Sequence, residues 1–418
     1  MTPSVQPVDV LIVGAGMAGL TMALAVSHLP LTIRIIDPKP PQSAQQWPPQ
    51  FDPRVSALTQ ASESMLRNLG VWPGMEQHRV APFMDMDVWD REGTGNIQFS
   101  AREVGTQRLG CIVENRVTSA CLFEQVQRAD NIEFQGLGLA RVLESDCGWL
   151  VELDNGEQIA PKLLIAADGA RSRVRDQLGF RCRTWDYGQQ ALVTTVTTEK
   201  PHGDCARQVF LETGPLAFLP LRQTTDQKRS QISSIVWTTT PDQAQTLLAK
   251  TDGEFCKELG FAFEHRLGKI LEVESRHCFP LQQNHAVDYV MPGVALIGDA
   301  AHSIHPLAGQ GINMGLLDAA VLAEEIERAV NLELPLEDFS VLRRYQRRRK
   351  PQNLLMMSTM EGFKRLFGTG LPPLRVARNM GMSLLNGHTL IKGQILSRAM
   401  GLEGDLPQLA RAPLLADF

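Results

Sequence analysis

The chain has 418 residues, 43% hydrophobic and 21% charged, with 46 acidic against 41 basic side chains and a formal net charge of −5. That length exceeds one small core and suits two closely joined domains, and the composition is that of a globular protein rather than a disordered one. The acidic balance argues against nucleic acid as the main partner.

Seven cysteines (Cys111, Cys121, Cys147, Cys182, Cys205, Cys256 and Cys278) are scattered and form no C-x-x-C pair. This is the usage of a reducing cytosol, with neither a disulfide framework nor a zinc site. Val10 to Val26 is mostly apolar, but no basic residue precedes it and a glycine fingerprint lies inside it. It therefore reads as part of the fold and not as a signal peptide. No uninterrupted apolar stretch reaches spanning length, so the expectation is a cytoplasmic protein, able to rest peripherally on the inner membrane.

Val8 to Val13 is continuous and β-branched, the pattern of a buried parallel strand. Gly14-Ala15-Gly16-Met17-Ala18-Gly19 follows, then a helix over Leu20 to His28 and a second strand over Leu31 to Ile36, ending in Asp37. A G-x-G-x-x-G between strand and helix, with a carboxylate about twenty positions on, marks a dinucleotide-binding βαβ unit. Gly14 allows the tight turn, Gly16 lets the backbone approach a pyrophosphate, and Gly19 permits close helix–strand packing. Asp37 is placed to accept from ribose hydroxyls. A glycine turn without a ligand is the competing meaning, and the strand–turn–helix–strand–Asp order argues against it.

Pro38 to Pro53 holds six prolines and reads as a loop. Helical spacing predicts a helix over Val55 to Leu69, ended by Gly70. Trp149 to Leu164 reads as a hairpin turning at Asp154-Asn155-Gly156, feeding a strand into Asp168-Gly169. From Gln189 to Thr240 the sequence alternates, notably at Ala191–Thr198, Gln208–Leu211, Leu216–Leu221 and Gln231–Thr238. An antiparallel sheet is expected there.

An apolar strand, Val294 to Ile297, then delivers Gly298-Asp299, and a Pro- and Gly-rich turn leads into a helix that opens at about Ile312 and runs to about Val330. A glycine-rich turn feeding a helix N-terminus presents backbone N–H groups and positive dipole to an electron-rich ligand, here over Gly309 to Asn313. The remaining third is helical and methionine-rich. In it, Arg343 to Lys350 packs six basic residues into eight. Internal pairing on a solvated helix is the commoner meaning of such a run, and contact with a membrane surface or acidic partner the sharper one.

Gly14–Gly19 with Asp37, then Asp168-Gly169, then Gly298-Asp299 resemble, in this order, the flavin aromatic hydroxylases related to para-hydroxybenzoate hydroxylase. Across nearly the whole chain the resemblance narrows to the ubiquinone-biosynthesis hydroxylases. It is carried by Trp185-Asp186-Tyr187, Ala206 to Phe210, Leu216 to Leu221, Arg266-Leu267-Gly268, Arg343-Arg344-Tyr345 and Ala399 to Leu402. Within that family these segments are most similar to the branch that hydroxylates a polyprenylphenol at ring C5.

The fold so implied is α/β. A Rossmann-like FAD-binding domain (1–75, 106–180 and 286–335) is interleaved with an antiparallel-sheet substrate domain (76–105 and 181–285), and a helical C-terminal region (336–418) follows. The resemblance implies FAD held by Gly14, Ala15, Gly16, Gly19, Asp37, Arg54, Arg116, Asp168, Gly169, Asp299, Gly311, Ile312 and Asn313. Arginine at the Arg116 position is not uniform within the branch. Pro306, Gly309, Gln310 and Gly311 would shape the flavin environment, with no acid or base assigned. NAD(P)H would reduce the flavin, and O2 would then give a C4a-hydroperoxide that hydroxylates the ring. No second G-x-G-x-x-G has a strand–helix context, which fits transient NAD(P)H docking.

Phe218, Pro220 and Trp237 are candidate walls for the substrate ring, or ordinary core. Structural hydrogen bonding is the expectation for His302 and His305. The resemblance further implies a homo-oligomer within a ubiquinone-synthesis assembly. The alternatives are a sister hydroxylase of another ring position, a hydroxylase of a soluble aromatic acid, a non-catalytic flavin-binding assembly subunit and, more distantly, a tryptophan halogenase, whose W-x-W-x-I-P signature is absent.

Overall fold

A computed structural model describes residues 5–91, 93–146, 148–224, 229–303, 311–367, 379–382, 384 and 386–411. The first half runs β1 (Val5–Val13), α1 (Met17–Ala25), β2 (Ile33–Ile36), β3 (Val55–Thr59), α2 (Gln60–Asn68), α3 (Trp72–Glu76), β4 (Val80–Phe83), β5 (Asp85–Asp90), β6 (Asn96–Ser100), β7 (Gly110–Glu114), α4 (Asn115–Val126), β8 (Ile132–Gln135), β9 (Leu139–Ser145), β10 (Gly148–Leu153), β11 (Gln158–Ala166) and α5 (Arg173–Gln177). The second half runs β12 (Cys182–Thr198), β13 (Cys205–Leu211), β14 (Gly214–Leu221), β15 (Ile232–Thr239), α6 (Pro241–Ala249), α7 (Asp252–Ala262), β16 (Ile270–Val273), β17 (His277–Ala286), β18 (Val290–Met291), β19 (Val294–Leu296), β20 (His302–Ser303), α8 (Gly311–Asn331), α9 (Phe339–Phe367) and α10 (Thr389–Ala399).

Among the described residues, one sheet is ordered β18-β19-β11-β1-β2-β8, with β10 and β9 added beyond β11. Its central pairs, β19 with β11, β11 with β1, β1 with β2 and β2 with β8, are all parallel. Strands covered on both faces read as continuous apolar runs, and Val10, Leu11 and Ile12 are fully buried accordingly. A second sheet is ordered β20-β17-β12-β15-β14-β13-β5-β6, with β16 beside β12. The early pair β5–β6 joins it through a parallel contact with β13. A three-stranded sheet, β3-β7-β4, packs on the second.

The helix expected over Val55 to Leu69 is in fact a strand followed by a helix. Val55 to Thr59 pairs antiparallel with β7, and the Thr59 hydroxyl accepts from the Ser62 N–H to cap α2. Tertiary pairing overrides the local periodicity there. The Asp154-Asn155-Gly156 hairpin is present, with Val151 opposite Ile159.

The closest approach in the fold lies where α1 leaves β1. A Cβ on Gly19 would fall 2.0 Å from the Gly14 carbonyl oxygen, a backbone atom that cannot swing aside. Gly19→Ala is expected to lower stability by about 1–3 kcal/mol through overpacking. Chemical denaturation of the apoprotein checks this, and an unchanged midpoint would mean that α1 is free to shift.

Candidate active site

Three turns converge on the first turn of α1. Gly14 has φ +111°, and its N–H donates to the Ile36 carbonyl at 2.8 Å. A Cβ there would lie 2.4 Å from the Ala167 oxygen, which sets the glycine turn directly against the strand end that carries Asp168. Around Gly16, by contrast, nothing lies within 4 Å of a Cβ position. Gly16 is the N-cap of α1, no side chain caps it, and the first turn holds no acid. The uncapped N–H groups and positive helix end therefore face open space, the requirement for a pyrophosphate. Asp37 fastens the turn: its Oδ2 accepts from Ala15 N–H and its Oδ1 from Lys39 N–H, each at 2.8 Å. Each oxygen keeps a further lone pair for a ribose hydroxyl.

Asp168 is split between two tasks. Its Oδ2 accepts from the N–H groups of Arg173 and Val174, at 2.7 and 3.3 Å, and so caps α5. Its Oδ1 is buried without a partner among the described residues. Burial pushes this carboxyl up, against the hydrogen bonds that favour its ionised form. Asp299 forms the third turn. Solvent reaches its side chain, yet surrounding protein desolvates it and raises its carboxyl, with His302 opposing and Asp318 adding to the shift.

Arg54 ends a strap of residues 47–54, which Arg116 in the first turn of α4 helps to pin. Buried Glu114 accepts from Asp52 N–H at 2.6 Å and pairs with Arg116 at 2.6 Å and Arg79 at 3.4 Å. Arg116 also reaches the Gln50 carbonyl and lies over the Trp47 ring at 5.3 Å, while its Nε is buried without a partner among the described residues. Arg54 is exposed, and its carbonyl accepts from Asn115 N–H at 3.0 Å. Native folds leave few buried polar atoms unpaired, so an orphaned acceptor on Asp168 and an orphaned donor on Arg116 mark places for a ligand's groups. Together with the open Gly16 turn they fit a dinucleotide.

A family model described as an FAD binding domain matches residues 7–357. The chain belongs to the FAD-dependent monooxygenases. Among its relatives, the 3-demethoxyubiquinol 3-hydroxylase of Escherichia coli strain K12 is 36% identical over 400 residues, covering 95% of this chain and 99% of that protein. The mitochondrial ubiquinone biosynthesis monooxygenase COQ6 of Homo sapiens is 30% identical over 439 residues, covering 94% and 92%. These place the monooxygenase in the family that includes the ubiquinone-biosynthesis hydroxylases. The solved structure of p-nitrophenol 4-monooxygenase PnpA from Pseudomonas putida DLL-E4 superposes with TM-score 0.76 over 96% of this chain and 99% of its own, at 19% identity, and shares the fold.

In this monooxygenase α8 begins at Gly311, and Gly311 and Ile312 are half-buried in its first turn. The Asn313 side chain is committed to the frame: it donates to the Ala57 carbonyl at 2.9 Å and accepts from Thr59 N–H at 3.2 Å and the Ser62 hydroxyl at 2.7 Å. Pro306, Gly309, Gln310 and His305 lie outside the described residues.

Phe218 and Trp237 pack as core, the second of the two meanings open for them. Phe218 pairs across with Ile235, and Trp237 with Leu216, all on the sheet face covered by α7. Phe218 stacks on Phe263 at 3.7 Å and Trp237 lies 6.4 Å from Phe255. Pro220 shares their parity on β14. The opposite face, at Leu219 and Leu221, meets Phe51 and Val55 of the strap. Both faces of β14 are buried, so its apolar run carries no signal of which side meets the cofactor. A cavity of about 200 Å³ lies on the strap side, lined in part by Gln50, Phe51, Thr195, Glu274 and His277.

The basic run is largely paired internally. Arg344 meets Glu325 at 2.7 Å, Arg348 meets Glu324 and Asp405 at 2.8 and 2.7 Å, Arg349 meets Asp318 at 2.8 Å and Lys350 meets Asp288 at 3.9 Å. No described helix is long and apolar enough to cross a membrane.

Sequence reading missed the residues beneath the Gly298–Asp299 turn. Fully buried Asp318 accepts from Gly298 N–H at 3.1 Å, His302 Nε2 at 2.5 Å, Arg349 Nε at 2.8 Å and Asn353 Nδ2 at 3.1 Å. The available signal was a carboxylate on the apolar face of α8, between Gly315 and Leu322. Burial alone would raise Asp318, but His302 and Arg349 outweigh it and hold the carboxyl at about 2. Adjacent His285, whose Nε2 lies 3.2 Å from the Tyr289 hydroxyl, is lowered from 6.5 to about 4 by burial, then by His302, Lys350 and Arg183.

The pH dependence has a definite sign. His285 is deprotonated in the fold where the unfolded chain binds a proton, so stability falls as pH drops from 6.5 toward 4. Asp318 extends the loss below its ordinary value of 3.8 toward 2. Each group contributes a slope of at most about 1.4 kcal/mol per pH unit. His285→Gln should flatten the upper window, measured as unfolding free energy between pH 4 and pH 7 at about 25 °C. An unchanged slope would mean that another group titrates there.

Proposed function

We propose that this monooxygenase hydroxylates the ring of a polyprenylphenol on the path to ubiquinone, at C5, using NAD(P)H and O2. The observation that carries this reading is the full-length similarity to ubiquinone-biosynthesis hydroxylases of bacteria and mitochondria. The strap-side face of the second sheet supports it. Ala191, Val193, Val236 and Leu281 cluster there with Tyr187. An apolar face suits a prenylated ring better than a soluble aromatic acid.

In this reading Gly14, Gly16 and Gly19, with Ala15 and Asp37, hold the ADP half of FAD. Asp168 with Gly169, Asp299, Arg54 and Arg116 hold the remainder, and the first turn of α8 (Gly311, Ile312, Asn313) favours negative charge on the reduced ring system. When bound, FAD supplies the redox chemistry, accepting electrons from NAD(P)H and activating O2. The apolar face orients the phenol and excludes water. The division into FAD-binding segments 1–75, 106–180 and 286–335 around a substrate domain belongs to the same proposal. So do a homo-oligomer in a ubiquinone-synthesis assembly and contact with lipid, the latter supported by Leu354 and Leu355, 39% and 64% exposed on α9.

A sister reaction at another ring position is the second reading, favoured by the name and 36% identity of the Escherichia coli relative. Complementation of strains lacking each ring hydroxylase separates the two, with the accumulated quinones identified by mass spectrometry. Rescue of only the C5 defect is expected, and rescue of a different defect alone would sink that position. NAD(P)H oxidation that a prenylphenol fails to stimulate would favour a non-catalytic subunit. Arg54→Ala should weaken FAD binding by about ten- to a hundredfold if its guanidinium makes one charge-assisted contact. Fluorescence titration of the apoprotein measures this, and undiminished affinity would remove Arg54 from the site.

A further inference from the structure

We propose that Asp318, held by α9, is a positioning residue for the FAD site, and that α9 thereby sets how tightly the cofactor is bound. This rests on the assignment of the Gly298–Asp299 turn to FAD.

The four donors to Asp318 come from four places: the backbone of the turn at Gly298, His302 beyond it, and Arg349 and Asn353 of α9. Gly298 and His302 stand before the 304–310 segment and Asp318 stands after it, so one carboxylate ties both sides of that segment together. A single face of α9 makes the attachment. Tyr345, Arg349 and Asn353 follow at four-residue spacing, the interval that aligns side chains along a helix. Tyr345 donates to the Leu296 carbonyl at 2.8 Å, on the strand that leads into the turn. Arg349 also donates to Asn353 Oδ1 at 2.8 Å, which orients the amide so that its Nδ2 faces Asp318.

Joining α8 to α9 does not require this arrangement. The same two helices are joined again farther along, where buried Glu325 pairs with the partly exposed Arg344 at 2.7 Å and Arg348 at 3.2 Å, away from the Gly298–Asp299 turn. A fully buried ion pair is a poor source of net stability, because desolvating both charges offsets most of their attraction. What the Asp318 cluster adds is direction. Two of its bonds end on the turn and on the residue beyond it, and they fix the backbone from which Asp299 projects into the cleft.

The test compares FAD dissociation constants by flavin fluorescence, the visible circular dichroism of bound flavin and the thermal midpoints of the apoproteins, all on the full chain. Asp318→Asn should weaken FAD binding by about tenfold or more and alter the flavin dichroism. Glu325→Gln, which strands arginines around a buried carboxylate away from the turn, should lower the apoprotein midpoint while keeping FAD affinity within about twofold of the original. Wild-type affinity in Asp318→Asn, or equal losses in both variants, would overturn the proposal. Should Asp318→Asn fail to fold, Asn353→Leu removes one of the bonds and is expected to weaken FAD binding by about three- to tenfold. Wild-type affinity there overturns the proposal equally. Asp299→Ala separates the two levels: if it keeps FAD, the assignment of the turn is wrong and the proposal falls with it. If it loses FAD while Asp318→Asn does not, only the positioning role is lost.

Discussion

The active site depends on one contact that excludes side chains, where the backbones of three segments meet. A Cβ on Gly298 would lie 3.1 Å from the Ala18 Cβ, and one on Gly315 would lie 3.2 Å from the Gly298 Cα. Helix α1, the Gly298–Asp299 turn and helix α8 are thus as close as bare backbone and one methyl allow. Gly298 also has φ +57°, which a side chain would strain. Two helix starts separated by some three hundred residues therefore share one cleft. The positive ends of α1 and α8 can act on a single elongated anion because nothing larger than alanine separates them.

Around that contact, polar groups divide by whether the chain satisfies them. Glu114 and Asp318 are buried and their partners come from the protein, so they hold the frame: one pins the strap with Arg116, the other the turn. Asp168 Oδ1 and Arg116 Nε are buried with no partner among the described residues. An unsatisfied buried group costs about 1–3 kcal/mol, and a native fold keeps such a cost where a ligand relieves it. The split runs within single residues, since Asp168 caps α5 with one oxygen and leaves the other vacant.

How far this was legible depended on whether a residue's role is local. The strand–turn–helix order around Gly14 could be read because its geometry is set within a few residues, and the hairpin at Gly156 for the same reason. Val55 to Thr59 was misread as helix because its fate is set by β7, more than fifty residues later. The substrate face failed for a different reason. Leu216 to Leu221 is apolar on both parities, and a strand buried on both sides says nothing about which face sees the cleft. Asp318 and Arg349 were invisible as a pair because each belongs to a helix with other charges. Arg349 sat in a basic run whose composition suggested a surface, whereas α9 turns it inward.

The internal pairing expected of that run bears on how charge is used here. A run of six cations on an acidic protein invites a search for an external anion, but the carboxylates it meets are Glu324, Glu325 and Asp318 of α8, with Asp288 and Asp405. Their depth is graded. Arg348 and Arg344 meet Glu324 and Glu325 with their own side chains partly exposed, although Glu325 itself is buried. Arg349 reaches the interior, where removing one partner strands a charge and costs several kcal/mol. Sequence composition weighs these arginines equally, but the fold does not. What sets the Arg349 pair apart is its place, beneath the turn that carries Asp299, where both partners are buried.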